Sequence, residues 1–394
     1  MIKASLKPSP TSPEPQPEGR LDHGEKGRRR APLGGLIGLA AALVAAGALL
    51  ALSPDGNEPT PPQTRTVGET WPDARRADIP GTLPDGTAYN PAYFLDERTS
   101  VGTAPDASGG SVRLVLRAAD GTIRELRRLP SAVGPQFAGF TRAGDDLAWA
   151  ESATGKDGAT KTTMWRVGVA AGGAPLQITD DTGDVVFFNS EYDMLIERGR
   201  LYWAAVAPGR DTATEVRSAP LTGGPVDVRT EPGAWALSGW PWLVSAGSGQ
   251  SGPVRMRDLD SGREQAIDAT ANELVTCGPT WCRVLVLAGN GPARSELMRP
   301  DGADRQQVAT GTATASIIDV AVLDRFEVLS EDSSSLAQAV GGQRLVLYDL
   351  KTKQTSTVAD TAGMVLYRGG VLWWSTGDEG QTTAWHTLDL RSLS

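Results

Sequence analysis

LYWAAV at 201–206, PWLVSA at 241–246, WCRVLV at 281–286, RFEVLS at 325–330 and VLWWST at 371–376 are one short hydrophobic strand written five times, and LAWAE at 147–151 and YFLDERT at 93–99 extend the series toward the N-terminus. From LAWAE onward the copies begin 54, 40, 40, 44 and 46 residues apart. That spacing is the period of a radial repeat, in which each small sheet cannot bury its own faces and must stack on its neighbours.

The flanks of each copy complete a unit. A glycine-containing turn precedes most copies, as in RAGDD at 142–146, ERGR at 197–200 and YRGG at 367–370, and glycine supplies the positive φ that tight hairpins need. A second alternating segment follows after a loop, for example SVRLVLRAADG at 111–121, GPVRMRDLDSG at 252–262, QRLVLYDLKTK at 343–353 and TAWHTLDL at 383–390. A shorter, polar-edged strand such as PVDVRT or REQAID comes next. Ahead of each copy an innermost strand is expected: AGF at 138–140, MLIE at 194–197, AWALS at 234–238, ELVTC at 273–277, IIDVAV at 317–322 and MVLY at 364–367. Seven such units, the first around residues 86–130, specify an all-β, seven-bladed propeller of four-stranded antiparallel blades. The last unit stops at Ser394 after its third strand, so its outer strand is expected from TRTVGET at 64–70, which would remove an open sheet edge.

The N-terminal part is a different kind of chain. Residues 1–31, with PSPTSPEPQPEG at 8–19, have too little apolar surface to offset the entropy of ordering and read as a flexible cytoplasmic tail. Lys26 and Arg28, Arg29 and Arg30 precede an uncharged run from Leu33 to Leu52. A helix of that length spans the hydrocarbon core of a bilayer, about 30 Å. A single transmembrane helix over residues 32–53 is therefore expected, with the basic flank in the cytoplasm and the C-terminal part outside it, in the plasma membrane. A cleaved signal peptide is the competing reading, opposed by the long leader, the long apolar run and the lack of a small-x-small site after Leu52. Residues 54–66, PDGNEPTPPQTRT, read as a Pro-rich stalk, and 67–394 as the extracytoplasmic propeller.

Charge narrows the partners. The chain carries a net charge of −9, and residues 32–394 carry 31 Lys/Arg against 43 Asp/Glu. An acidic body without interleaved basic and aromatic residues is unsuited to nucleic acid, whose backbone needs clustered Lys and Arg.

The LYW and LWW strands, the following strands ending in MRDLDSG and LYDLKTK, and the edge strands ending in Thr or Ala resemble those of TolB-type and WD40-like propellers of envelope proteins in Gram-positive actinobacteria. The resemblance covers about residues 86–394. It lacks the Gly-His and Trp-Asp pairs of strict WD repeats and the Asp-Pro-Ser-Gly type of signature of TolB repeats. It implies a rigid interaction or sensing platform in the envelope, and no catalytic position of those families has a counterpart to carry over.

Chemistry-bearing residues are few. Cys277 and Cys282 are the only two cysteines and flank a predicted hairpin, CGPTWC, so in an oxidising compartment they are expected to form a disulfide. His386 is the only histidine after the tail, so a Ser-His-Asp triad would have to use it, and histidine-rich zinc sites are excluded. No catalytic residue, cofactor or metal site is assigned. The candidate interaction surface is TDDTGDVVFFNSEYD at 179–193, where Asp180, Asp181, Asp184, Glu191 and Asp193 accompany Phe187, Phe188 and Tyr192 as an acidic rim around aromatic anchors. The competing reading is that Val185–Phe188 fill the space between blades. The function expected is a non-catalytic scaffold for an unknown envelope protein or cell-wall ligand. A loop-carboxylate hydrolase of envelope polysaccharide and a purely structural component are the alternatives.

Overall fold

In the computed structural model the described residues are 65–394, apart from 171, 210–211, 247–253, 290, 312, 332–341 and 379–380. The expected tail, the expected membrane helix at 32–53 and most of the stalk fall outside them. Among the described residues no helix is long and apolar enough to cross a membrane.

Seven antiparallel sheets follow one another along the chain, each ordered from inner to outer strand. Blade two shows the plan: Gln136–Ala143, Asp146–Thr154, Thr160–Gly168 and Leu176–Thr179. Because the order is sequential, the outer-to-inner and second-to-third connections all emerge at one end, and the tight turns at the other.

Stacking explains why the second strands read as nearly continuous apolar runs: both of their faces are covered. On blade two Leu147 and Trp149 pack with Val101 and Leu114 of blade one, while Ala148 and Ala150 pack with Leu201 and Trp203 of blade three. The same exchange recurs between blades four and five through Met256 and Val284, and between six and seven through Val328 and Leu372. Each fully buried large side chain contributes roughly 1.5–3 kcal/mol, so the ring of interfaces, rather than any one blade, holds the fold.

Three sequence expectations are corrected. YFLDERT does not form the second strand of blade one. Tyr93 and Phe94 end its innermost strand, Asn90–Phe94, and the second strand is Ser100–Pro105. Between them Asp96 accepts the N–H groups of Arg98 and Thr99 and fixes the hairpin. TRTVGET is not the closing strand. Thr66 and Glu69 cap one another reciprocally and start a short helix, Val67–Thr70, while Arg65 and Thr66 lie along Thr357 of blade six. The ring is closed instead by Arg76–Pro80, which pairs antiparallel with the last strand, Arg76 opposite Leu388 and Pro80 opposite Ala384. IIDVAV is not the innermost strand of blade six. Only Thr314–Ala315 forms that strand, and the chain then leaves the sheet.

Candidate functional site

Two innermost strands are broken in the same way. In blade three Asp184–Val185 pairs with Ala205 and Val206, and Val186 donates to the Ala204 carbonyl. The next residue to pair, Met194, lies opposite Trp203. Residues 187–193 therefore leave the ladder between two adjacent positions of the partner strand and project into the central channel. In blade six Ser316 donates to the Val328 carbonyl and Val322 bridges Phe326, so 317–321 leave the ladder opposite the single residue Glu327.

The two excursions meet. Ser190 Oγ donates to Asp319 Oδ1 at 2.5 Å, and the Glu191 N–H reaches both Asp319 oxygens at 3.2 and 3.1 Å. Arg368, at the end of the innermost strand of blade seven, gives Nη2 to Asn189 Oδ1 at 2.9 Å and lies 3.9 Å from Asp319. Asp193 folds the excursion on itself by accepting the N–H groups of Phe188 at 2.8 Å and Ser190 at 3.1 Å. The blade-six excursion is anchored from behind: Glu327, fully buried, accepts from Arg283 and from the Ala321 N–H, while Arg283 also donates to the Asp319 carbonyl at 2.9 Å. A plug built from blades three, six and seven thus crosses the channel.

Close approach shapes blade two to receive it. Gly139 has a φ of 61° at a bulge in its strand, and a Cβ there would stand 2.6 Å from Met194 Sδ and 2.9 Å from Phe187 Cε1. Only glycine tolerates both the conformation and the space.

Burial raises the plug's acids. Desolvation, reinforced by the Asp319 carboxylate, pushes Glu191 up to about 7, against hydrogen bonds from Tyr192 and the Gly369 N–H. Desolvation pushes Asp193 up to about 6, against the Phe188 N–H and the Arg368 charge, and it also raises Asp319. Tyr192 and Tyr367, packed beside these acids, are raised as well, chiefly by burial.

The plug divides the channel into two chambers. One, of about 200 Å³, lies against blades four, five and six and is lined by Tyr192, Ala236, Thr276, Cys277 and Asp319. The other, of about 380 Å³, lies against blades seven, one and two and is lined by Asn90, Phe137, Phe187, Asn189, Asp193 and Arg368.

The candidate interaction residues are accordingly split. Asp180, Asp181 and Asp184 are exposed, the first two paired with Lys161 and Arg217. Phe187 is half-buried against the core between blades two and three, and Tyr192 against that between three and four. Phe188 is half-buried in the smaller chamber, and Glu191 and Asp193 belong to the plug. Sequence reasoning missed Asp319, Arg368 and Ser190. The one signal was a carboxylate inside an otherwise apolar run, IIDVAV, because a buried charge requires partners.

Cys277 and Cys282 form the expected disulfide, directly opposite one another in the hairpin of blade five, with a Cα–Cα distance of 4.0 Å. His386 sits between Asp78 (Nδ1–Oδ1 2.7 Å) and Thr376 (Nε2–Oγ1 2.8 Å) and stacks on Trp374. This has the order of an acid–base–nucleophile relay, but its members lie on three adjacent strands of one sheet and line neither chamber. The relay ties the closing strand to the last blade. Among the described residues no group of three His, Cys, Asp or Glu side chains is arranged to hold a metal ion.

No protein-family model matches the chain, and no curated protein matches it. Solved structures similar to it include an uncharacterized protein from Listeria monocytogenes (11% identity, 73% of this chain and 88% of that one, TM-score 0.48). An oligogalacturonate lyase in complex with manganese is another (14%, 82% and 85%, 0.45). The β-propeller domain of the Trilobed protease from Pyrococcus furiosus, described as having an open velcro topology, is a third (10%, 64% and 81%, 0.43).

Proposed function

We propose that the chain is a membrane-tethered, extracytoplasmic binding or sensing propeller, with recognition at the plugged channel and the loop-rich end around it. The observation that carries this reading is the state of the plug's carboxylates. Each chamber is lined by one of them, Asp319 or Asp193, and both already accept backbone N–H groups that fix the plug. Glycoside hydrolysis needs two carboxylates converging on one cavity. The tether rests on the basic block at 26–30 and the uncharged run behind it, and the envelope partner on the acidic, loop-rich domain beyond.

One observation favours a hydrolase instead: a carboxyl held near 7, as Glu191 is, suits a general acid. The two readings separate on the purified full chain in detergent, assayed against envelope polysaccharides. The binding reading expects no turnover and retained capture of an envelope component. Turnover that Glu191→Gln abolishes at unchanged stability would establish the hydrolase.

A further inference from the structure

We infer that the chamber against blades seven, one and two is a binding site for a small, uncharged, polyhydroxylated ligand of the saccharide class. This rests on the binding reading above and names what would be bound. A volume of about 380 Å³ falls within the roughly 300–1,000 Å³ of small-molecule sites.

The polar groups of the wall come as donors and acceptors together. Arg368 is only 8% exposed, and of the five N–H donors of a guanidinium two are engaged within the described residues, by the Tyr367 carbonyl at 2.8 Å and Asn189 Oδ1 at 2.9 Å. Asp193 is 6% exposed and uses one acceptor position on each oxygen for the plug, leaving further lone pairs. Asn90 faces the same space from blade one, and the Asn189 side-chain amide has donors left after its carbonyl receives Arg368. A hydroxyl both donates and accepts, so a polyol matches this mixture where a ligand of one kind only would leave groups unpaired.

Charge argues against an anion: Arg368 stands within reach of both Asp193 and Asp319, so no uncompensated positive charge awaits one. Phe137 and Phe187 provide the apolar faces that the C–H face of a sugar ring covers.

The test is calorimetric titration of the full chain in detergent with glucose, N-acetylglucosamine, maltose and cellobiose, beside citrate as an anion and choline as a cation. At least one saccharide should bind saturably. Asn90→Ala, exposed on the innermost strand of blade one, should weaken it about tenfold without changing the melting temperature, and Phe137→Ala, half-buried against the core between blades one and two, should weaken it as much while also lowering the melting temperature. Silence from all four sugars, binding indifferent to both substitutions, or binding of citrate or choline in their place would overturn the inference. Recovery of the bound sugar intact or cleaved decides the non-catalytic reading separately, since cleavage would refute that reading while leaving the site in place.

Discussion

At the residue scale the plug's acids give stability a pH dependence of unusual sign. Glu191 has a folded pKa of about 7 against an ordinary 4.5, so between those values the native state holds a proton that the unfolded chain has released. Its contribution is fully present below about pH 4.5 and is lost as pH rises through 7, by about 3 kcal/mol if the whole shift is expressed. Asp193, raised to about 6 from 3.8, acts in the same direction over a lower window. Asp85 and Asp106, held at about 2 by hydrogen bonds from neighbouring hydroxyls, act oppositely and only below their ordinary 3.8, so the windows do not overlap. The melting temperature should therefore fall from weakly acidic to weakly alkaline buffer, and Glu191→Gln should flatten most of that slope. A wild-type slope of the opposite sign would refute this account of the plug. Gly139→Ala tests the same region sterically: strain at positive φ and the contacts with Phe187 and Met194 should cost about 1–3 kcal/mol, read as a lower denaturation midpoint.

At the scale of elements the plug and the disulfide make contrasting predictions. Replacing Phe187, Phe188 and Tyr192 together by Ala removes packing at two blade interfaces and should lower the melting temperature strongly, since each truncated buried aromatic costs up to about 3–5 kcal/mol. Unchanged stability with lost partner capture would instead mark these rings as free anchors. The bond between Cys277 and Cys282 closes a short loop, and the chain-entropy model assigns such a loop only about 2 kcal/mol. Reduction should therefore raise hydrogen exchange chiefly in Glu273–Cys277 and Cys282–Ala288, and intact mass after alkylation should show two thiols only once the protein has been reduced.

How far these elements were legible depends on the quantity that periodicity measures. Second and third strands have both faces buried against neighbouring blades, so their apolar runs announce them. IIDVAV and VVFF carry equally apolar patterns because Val320, Ala321, Val185 and Phe187 also pack into cores between blades, although residues 317–321 and 187–193 have left the ladder. Periodicity reports burial and not hydrogen-bond partners, so the excursions read as strand or as interblade filler. The contact that defines the plug, Ser190 to Asp319, spans 129 positions of sequence, beyond any local signal.

At the scale of the whole molecule the ring is only as closed as its seam. In blade four the outer strand Glu264–Ile267 follows its partner through a tight turn in which Asp258 and Arg263 pair, a local and inexpensive contact. The closing strand instead meets residues about 310 positions away. It bears the loop-closure entropy of nearly the entire domain and should dock last and open first. Arg75 to Asp389 at 2.7 Å, Asp78 to His386 at 2.7 Å and the burial of Ile79 hold it. Ile79→Ala and Ile267→Ala remove the same atoms from equally buried sites on outer strands, each at about 2–5 kcal/mol. Their consequences should differ in reach. Under native conditions Ile79→Ala should raise hydrogen exchange in Arg76–Pro80 and along Gln381–Asp389, and expose that edge to association, whereas Ile267→Ala should raise exchange only in blade four. If both substitutions instead loosen the whole ring to the same extent, the propeller unfolds as one cooperative unit and the seam is not its point of opening.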